Sequence, residues 1–317
     1  MGIEIPFVES ERRAGVVVPG EYDVTKPILL EPGHNFRGRT SVILHPKPGV
    51  RMFELYGTQT VSGFEIVGNY ESEIGLNLRD NAHDVTVQDV AIRRTGLAAL
   101  WVGSCGRCLI ERVFVESSAD NGLQIEHGGV SVRNCAFVGE FGNKAVDARH
   151  GPGYATRFVH NTIVSSSGRG IDLLGWTRTG TMARGLVLAN NLVIVPSSLT
   201  GSITYAISAP PIEPATEWDQ DATPVVFRGN VATGPSTGGT AVVLPPAGPG
   251  VLPTLLKGGT WNLTSWAELE PDGLALAQSL LVPIDFALRR DALGRNRQMR
   301  AVDGEARVCA GAVDFSG

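Results

Sequence analysis

Two aspartates, Asp147 and Asp172, hold the same place in two copies of one short phrase, Ala145-Val146-Asp147-Ala148 and Gly170-Ile171-Asp172-Leu173. If the two phrases lie on neighbouring parallel strands in register, their carboxylates stand about 5 Å apart. Like charges that close suit a pair sharing one proton for acid–base work, or a cation site. Ca²⁺ is the ion that favours clustered carboxylate oxygens. Arg149, Glu126, His127 and His150 fall beside them in the same alignment. An arginine can hold a sugar carboxylate through two parallel N–H bonds, and a histidine can move a proton near neutral pH. The expected catalytic set is Asp147, Asp172, Arg149, His150 and His127, with Asp147 and Asp172 also the candidate Ca²⁺ ligands. Trp101, Gln124, Glu126, Trp176 and Arg79 form the expected substrate-binding set, the tryptophans as platforms for sugar rings. A structural account stands beside each. Asp172 can bond a neighbouring turn, His127 and His150 can bond turn backbone, and Arg79, Glu126 and Arg149 can form a solvated ion-pair row.

These residues can be aligned because the phrase recurs about every 23 to 27 residues, and a fixed period of that size marks a solenoid. One half is Gly or Ala followed by apolar-x-apolar: Gly75-Leu76-Asn77-Leu78, Ala99-Leu100-Trp101-Val102, Gly122-Leu123-Gln124-Ile125, the two aspartate phrases, and Tyr205-Ala206-Ile207-Ser208. The other half is apolar-x-Asn (or a substitute)-apolar, as in Val87-Gln88-Asp89-Val90, Val132-Arg133-Asn134-Cys135 and Val159-His160-Asn161-Thr162. Alternation with period two inside each half marks strands. The reading is all-β: one right-handed parallel β-helix, with an entry cap and first coils over 1–49, coils over 50–249 and a C-terminal cap over 250–317. Three parallel sheets are expected, with Leu76, Leu100, Leu123, Val146 and Ile171 stacked inside one of them. Asn77, Trp101, Gln124, Asp147, Asp172 and Ile207 should then share one outward column. Arg79, Gly103, Glu126 and Arg149 should share the next. Asn134, Asn161 and Asn190 are expected to stack as structural amides at a tight turn. Long connections after Leu173 and Ser208, carrying Trp176 and Trp218, are expected to wall the binding face.

The opening Gly15-Val-Val-Val-Pro-Gly20-Glu-Tyr-Asp-Val24, Pro27-Ile-Leu-Leu30, Asn35-Phe-Arg-Gly38 and Ser41-Val-Ile-Leu44 resembles the first coils of the pectate-lyase-like superfamily of β-helix proteins. The tail is similar too: Asp285-Phe-Ala-Leu288, Asp291-Ala-Leu-Gly294-Arg295 and Gly311-Ala-Val-Asp314-Phe315. The resemblance implies the β-helix and a cleft on its first sheet. It implies no reaction, because the family holds lyases, hydrolases, epimerases, tailspikes and silent members. The Asn-Thr-Asp, Gly-His-Gly and Arg-Ile-Lys set of polygalacturonases and the Trp-Ile-Asp-His of pectate lyases are absent.

A net charge of −5 with no basic run argues against nucleic acid. No run of about 18 apolar residues offers a membrane span. The start carries no visible secretory signal, so the expectation is an extracellular or periplasmic protein if a signal has been removed, and a cytoplasmic one otherwise. Cys105-Gly-Arg-Cys108 is a lone Cys-x-x-Cys without a second pair or a His at zinc spacing. It reads first as structural or free thiols, then as a local disulfide, then as metal or redox chemistry. The leading expectation is a carbohydrate-active enzyme on an acidic oligo- or polysaccharide, a lyase ahead of a hydrolase. The alternatives are a non-catalytic glycan-binding or adhesin-type β-helix, and an isomerase or cyclase on a small molecule. The sequence leaves the oligomeric state open.

Overall fold

The structure, a computed structural model, describes residues 5–7, 14–38, 42–149, 156–173, 186–195 and 205–208. Beyond these it describes strand segments at 226–228, 230–233, 236–237, 241–244, 281–283, 300–302 and 305–309, and residue 291. Each coil begins with a strand of a nine-stranded parallel sheet, in the order Ile28–Leu29, Phe53–Leu55, Ile74–Leu78, Ala98–Val102, Asn121–Ile125, Val146–Ala148, Arg169–Asp172, Tyr205–Ser208 and Ser236–Thr237. The pairing puts Phe53, Leu76, Leu100, Leu123, Val146, Ile171 and Ile207 in one inward column. All are buried. The expected five-residue stack is therefore present, and each such side chain gains about 1.5–3 kcal/mol from burial.

The Gly or Ala that opens each phrase has a steric cause. Down the sheet the position alternates Gly75, Ala99, Gly122, Ala145, Gly170, Ala206. A Cβ added to Gly75, Gly122 or Gly170 would stand 2.6, 2.6 or 2.3 Å from the carbonyl oxygen of the alanine on the next rung. It would also strike a core side chain, Ile92, Phe141 or Val193 respectively. Only the smallest residues fit this corner.

The second and third strands of each coil do not form two separate sheets. They belong to one 16-stranded sheet, because Thr60–Val67 and Thr86–Thr95 run through the turn between the two arms. That turn is made by single residues with positive φ: Asp89 (54°), Arg112 (53°), Asn134 (52°), His160 (55°) and Asn190 (55°). One left-handed residue redirects the chain without spending a loop, so the early ladder continues around the bend.

The stacked amides are present: Asn161 as expected, Asn191 in place of the expected Asn190, and Asn230 beyond them, while Cys135 holds the corresponding place next to Asn134. Asn161 Nδ2 donates to Asn191 Oδ1 at 3.0 Å, and Asn191 Nδ2 donates to Asn230 Oδ1 at 2.9 Å. The same amides donate to the backbone carbonyls of Val132 and Phe158. Asn134 and Asn190 instead occupy the positive-φ place, which His160 takes in the coil between them. The matching window is Phe158-Val159-His160-Asn161, since Phe158 pairs with Val132.

At the N-terminal end, Phe7, Phe36, Phe53 and Phe64 pack ring against ring, with centroids 5.0–6.3 Å apart. Gly20–Val24 pairs parallel with Val42–Pro46, so the opening segment already forms coils. Of the expected C-terminal cap, Leu281–Pro283, Arg300–Val302 and Glu305–Cys309 form an antiparallel three-stranded sheet. That direction change breaks the parallel pattern of the solenoid.

Candidate functional site

The outward column of the nine-stranded sheet reads Glu54, Asn77, Trp101, Gln124, Asp147, Asp172, Ser208. Six of the seven places are polar, and the seventh is the half-buried Trp101. Ser208 stands where the sequence alignment placed Ile207. Ala206 fills the Gly/Ala slot, which turns Ile207 into the core and Ser208 out. Asp147 and Asp172 are adjacent partners in register, as expected.

A cation already lies between them. Lys144 Nζ is 3.1 Å from Asp147 Oδ1 and 2.8 Å from Asp172 Oδ2. Tyr205 donates its hydroxyl to Asp172 Oδ2 at 2.9 Å. Asp147 Oδ2 takes no hydrogen bond and faces Arg149 Nη2 at 3.5 Å. Both aspartates are nearly buried, with side chains 3% and 8% exposed, while Lys144 is 19% exposed. Burial pulls the Lys144 ammonium down, but its bonds to Asp172 and Asp147 outweigh this and leave its pKa above the ordinary lysine value. Burial, then the charge of Asp172 and its bond, pushes the Tyr205 hydroxyl well up, so it serves as a neutral donor. Next to the cluster, burial raises the Asp120 carboxyl, and the charge of Asp147 raises it further against a bond from Asn143.

Ca²⁺ wants six to eight oxygens, and the ammonium occupies the place between the carboxylates that such an ion would take. Among the described residues no group of three or more His, Cys, Asp or Glu side chains is placed to hold a metal.

Around this core the expected site residues divide. Gln124 accepts from Asn121 Nδ2 at 2.9 Å and donates to Glu126, and Glu126 pairs with Arg149 at 3.3 Å. Gln124, Glu126, Asp147, Arg149 and Asp172 therefore form one connected patch. His127 follows Glu126 at an exposed turn. Arg79 lies three rungs from Arg149, about 14 Å at the usual strand spacing. It pairs with Glu54 at 3.1 Å. His150, Trp176 and Trp218, with the two long connections expected to wall the cleft, lie outside the described residues.

At the N-terminal half of the same face, Trp101 stands over a groove of about 450 Å³ lined by Arg51, Tyr56, Leu97 and Arg79, with Asp80 and Gly103 at its rim. Tyr56 is 43% and Leu97 36% exposed. Arg51 and Arg79 are each held through Nε, on Glu73 and Glu54 respectively.

Sequence reasoning passed over Lys144, Tyr205, Asp120 and Arg51. Lys144 and Tyr205 occupy the position just before the Gly/Ala slot, in the series Ile74, Ala98, Asn121, Lys144, Arg169, Tyr205. Strict alternation would send that position inward. The chain enters from a corner there, and the side chain can fold over the outward residue three places on. Asn121 on Gln124 and Lys144 on Asp147 both do so.

Comparison with family models, with characterised proteins and with solved structures finds no match for this chain.

Proposed function

We propose that this is a carbohydrate-active β-helix protein, akin to the pectate-lyase-like kind, that binds an acidic oligo- or polysaccharide along the outer face of its nine-stranded sheet. The observation that carries the reading is the groove under Trp101. An exposed tyrosine, an exposed leucine and a half-buried tryptophan border two arginines, Arg51 and Arg79. Aromatic faces cover the apolar side of a pyranose ring, and guanidinium forks bind carboxylate. Trp101 and Asp147 are two rungs apart, about 10 Å, which leaves room for a second sugar between platform and cluster.

Of the cleavage chemistries, β-elimination at a uronate fits this face better than hydrolysis by a carboxylate pair. Lys144 supplies between Asp147 and Asp172 the positive charge that a shared proton would otherwise supply. Arg149, with its longer contacts to Glu126 and Asp147, is the side chain free to exchange partners and neutralise a uronate carboxylate. Neutralisation acidifies the neighbouring C–H, and exposed His127, together with His150, is the group to take that proton. A non-catalytic glycan-binding role is the second reading. Its support is that the two aspartates are buried and already paired.

One experiment separates these readings. The protein is incubated with polygalacturonate, and both the ultraviolet absorbance of unsaturated uronate and the reducing ends are followed. Rise of both is expected. Reducing ends without absorbance mean hydrolysis, and retention of the polymer without either signal means a binding module. No retention and no turnover on any polyuronate overturns the proposal.

A further inference from the structure

The corner that follows Trp101 carries a feature with no part in saccharide binding. Cys105 and Cys108 are both 2% exposed. They stand on two short strands, Cys105–Gly106 and Cys108–Glu111. Between them Arg107 holds positive φ, 59°, so the chain bends within one residue, and both cysteine side chains are buried on either side of the bend. Cys108 Sγ folds back over this turn to within 3.9 Å of the Gly106 carbonyl oxygen. The pairing of the two thiols raises the Cys105 pKa and lowers that of Cys108. Cys135 lies fully buried in the core, on another coil.

The geometry points to Cys105 and Cys108 as a reversible dithiol site that closes to a disulfide on reaction with a small peroxide. The atoms balance with hydrogen peroxide as oxidant. Cys108 sulfur attacks one peroxide oxygen, the O–O bond breaks, and the departing hydroxide takes the thiol proton as water. The Cys108 sulfenic acid then receives the Cys105 sulfur, an S–S bond forms, and a second water leaves. Two thiols lose two electrons and one peroxide becomes two waters. A small oxidant is required because neither sulfur is open to a bulky one. Cys108 attacks because its pKa is lowered by the bond from Cys105, whereas the Cys105 thiol is raised and waits to resolve. Cys135 is the internal control, its thiol pushed up to about 12 by burial. The corner also adjoins the groove. Asp80 accepts the Ser104 N–H at 3.1 Å, and Asp80 and Gly103 line the rim.

The sequence makes the test direct. Trypsin cleaves after Arg107 and so separates residues 95–107 from 108–112, while Cys135 falls in 134–144. The folded full chain is treated with hydrogen peroxide, alkylated under denaturing conditions, and its monomer band is digested without reductant. Peptides 95–107 and 108–112 are expected as one joined species that falls apart on reduction, with peptide 134–144 alkylated throughout. Two separately alkylated peptides, or a sulfinic or sulfonic acid on Cys108 with Cys105 free, overturns the inference. So does a joined pair found only in dimers.

Discussion

At the turn within the large sheet, Asn161, Asn191 and Asn230 stack amide on amide; on the face of the nine-stranded sheet, Asp147 and Asp172 stack carboxylate on carboxylate. Both are polar columns with one residue per rung, and both are buried. The first repeats a neutral group that is donor and acceptor at once, so each copy satisfies the next and the column can extend without limit. The second repeats an anion, which cannot satisfy its own kind. It exists only because Lys144 reaches in from a neighbouring position and Tyr205 adds a donor. A self-satisfying column needs nothing but the fold. A column that must import its counter-charge can do so at only one or two rungs, and there it makes a place with distinct electrostatics.

Removing the import should have the largest effect. Lys144→Met leaves two carboxylates side by side in a nearly buried setting, and should lower unfolding free energy by about 3–5 kcal/mol at neutral pH. Denaturant unfolding checks this. The defect should shrink as pH falls, because protonating either aspartate removes the uncompensated charge. In the wild type the sign runs toward alkali. The Lys144 pKa is raised in the folded state, so its contribution is complete below the ordinary lysine value of 10.5 and is lost as pH climbs through the higher folded value. A Lys144→Met variant as stable as wild type would show that the cluster is held by something other than this lysine.

Breaking the self-satisfying column should cost less. Asn161→Ala strips the Cys135 N–H of its acceptor at 3.0 Å and removes donors to Val132 and Asn191. About 2–3 kcal/mol should be lost, with little pH dependence because no charge is involved. A pH-dependent loss would erase the contrast between the columns.

The contrast also explains what could be read in advance. The fold was legible because Gly/Ala-apolar-x-apolar repeats, with a steric cause at the Gly75, Gly122 and Gly170 rungs, and because the inward Leu76–Leu100–Leu123–Val146–Ile171 stack needs no partner outside itself. The Asp147–Asp172 adjacency followed from the same register. What makes it a site did not, because Lys144 and Tyr205 lie outside the strict alternation, at the corner where side chains can turn outward. The slips at Ile207 and at the Asn161 window share one origin. Each has two acceptable residues side by side, Ala206 after Tyr205 and Asn161 after His160, and periodicity alone cannot rank them. Arg51 and Tyr56 precede the clear repeat, so their meeting with Leu97 and Trp101 appears only in three dimensions.

Asp147→Asn sharpens the comparison from the functional side. Its Oδ1 bond to Lys144 survives as an amide oxygen, Lys144 keeps Asp172 as its counter-charge, and the charge lost from Oδ2 costs the 3.5 Å pairing with half-exposed Arg149. Thermal unfolding should therefore show a change of about 1 kcal/mol or less. Retention on immobilised polygalacturonate, and turnover of it, should fall at least about tenfold, since about 1.4 kcal/mol of lost electrostatic positioning suffices for that. Unchanged retention and turnover would return Asp147 to a purely structural role.

The smallest effect, and the one of opposite sign, belongs to Asp120. Burial raises its carboxyl, with the charge of Asp147 adding to the rise. A carboxyl raised in the folded state binds its proton more tightly there than in the unfolded chain. Its favourable contribution is thus present below the ordinary value of 3.8 and is lost as pH rises through the folded value, leaving a destabilising charge at neutral pH. Asp120→Asn should make the protein slightly more stable at neutral pH, and the two unfolding midpoints should converge as pH falls below the carboxylate range. The Asn161 column offers no such site, because none of its members carries a charge to relieve. A loss of stability on Asp120→Asn at neutral pH would mean that Lys144 is held by three carboxylates rather than two, and the importing column would then extend to the edge of the sheet.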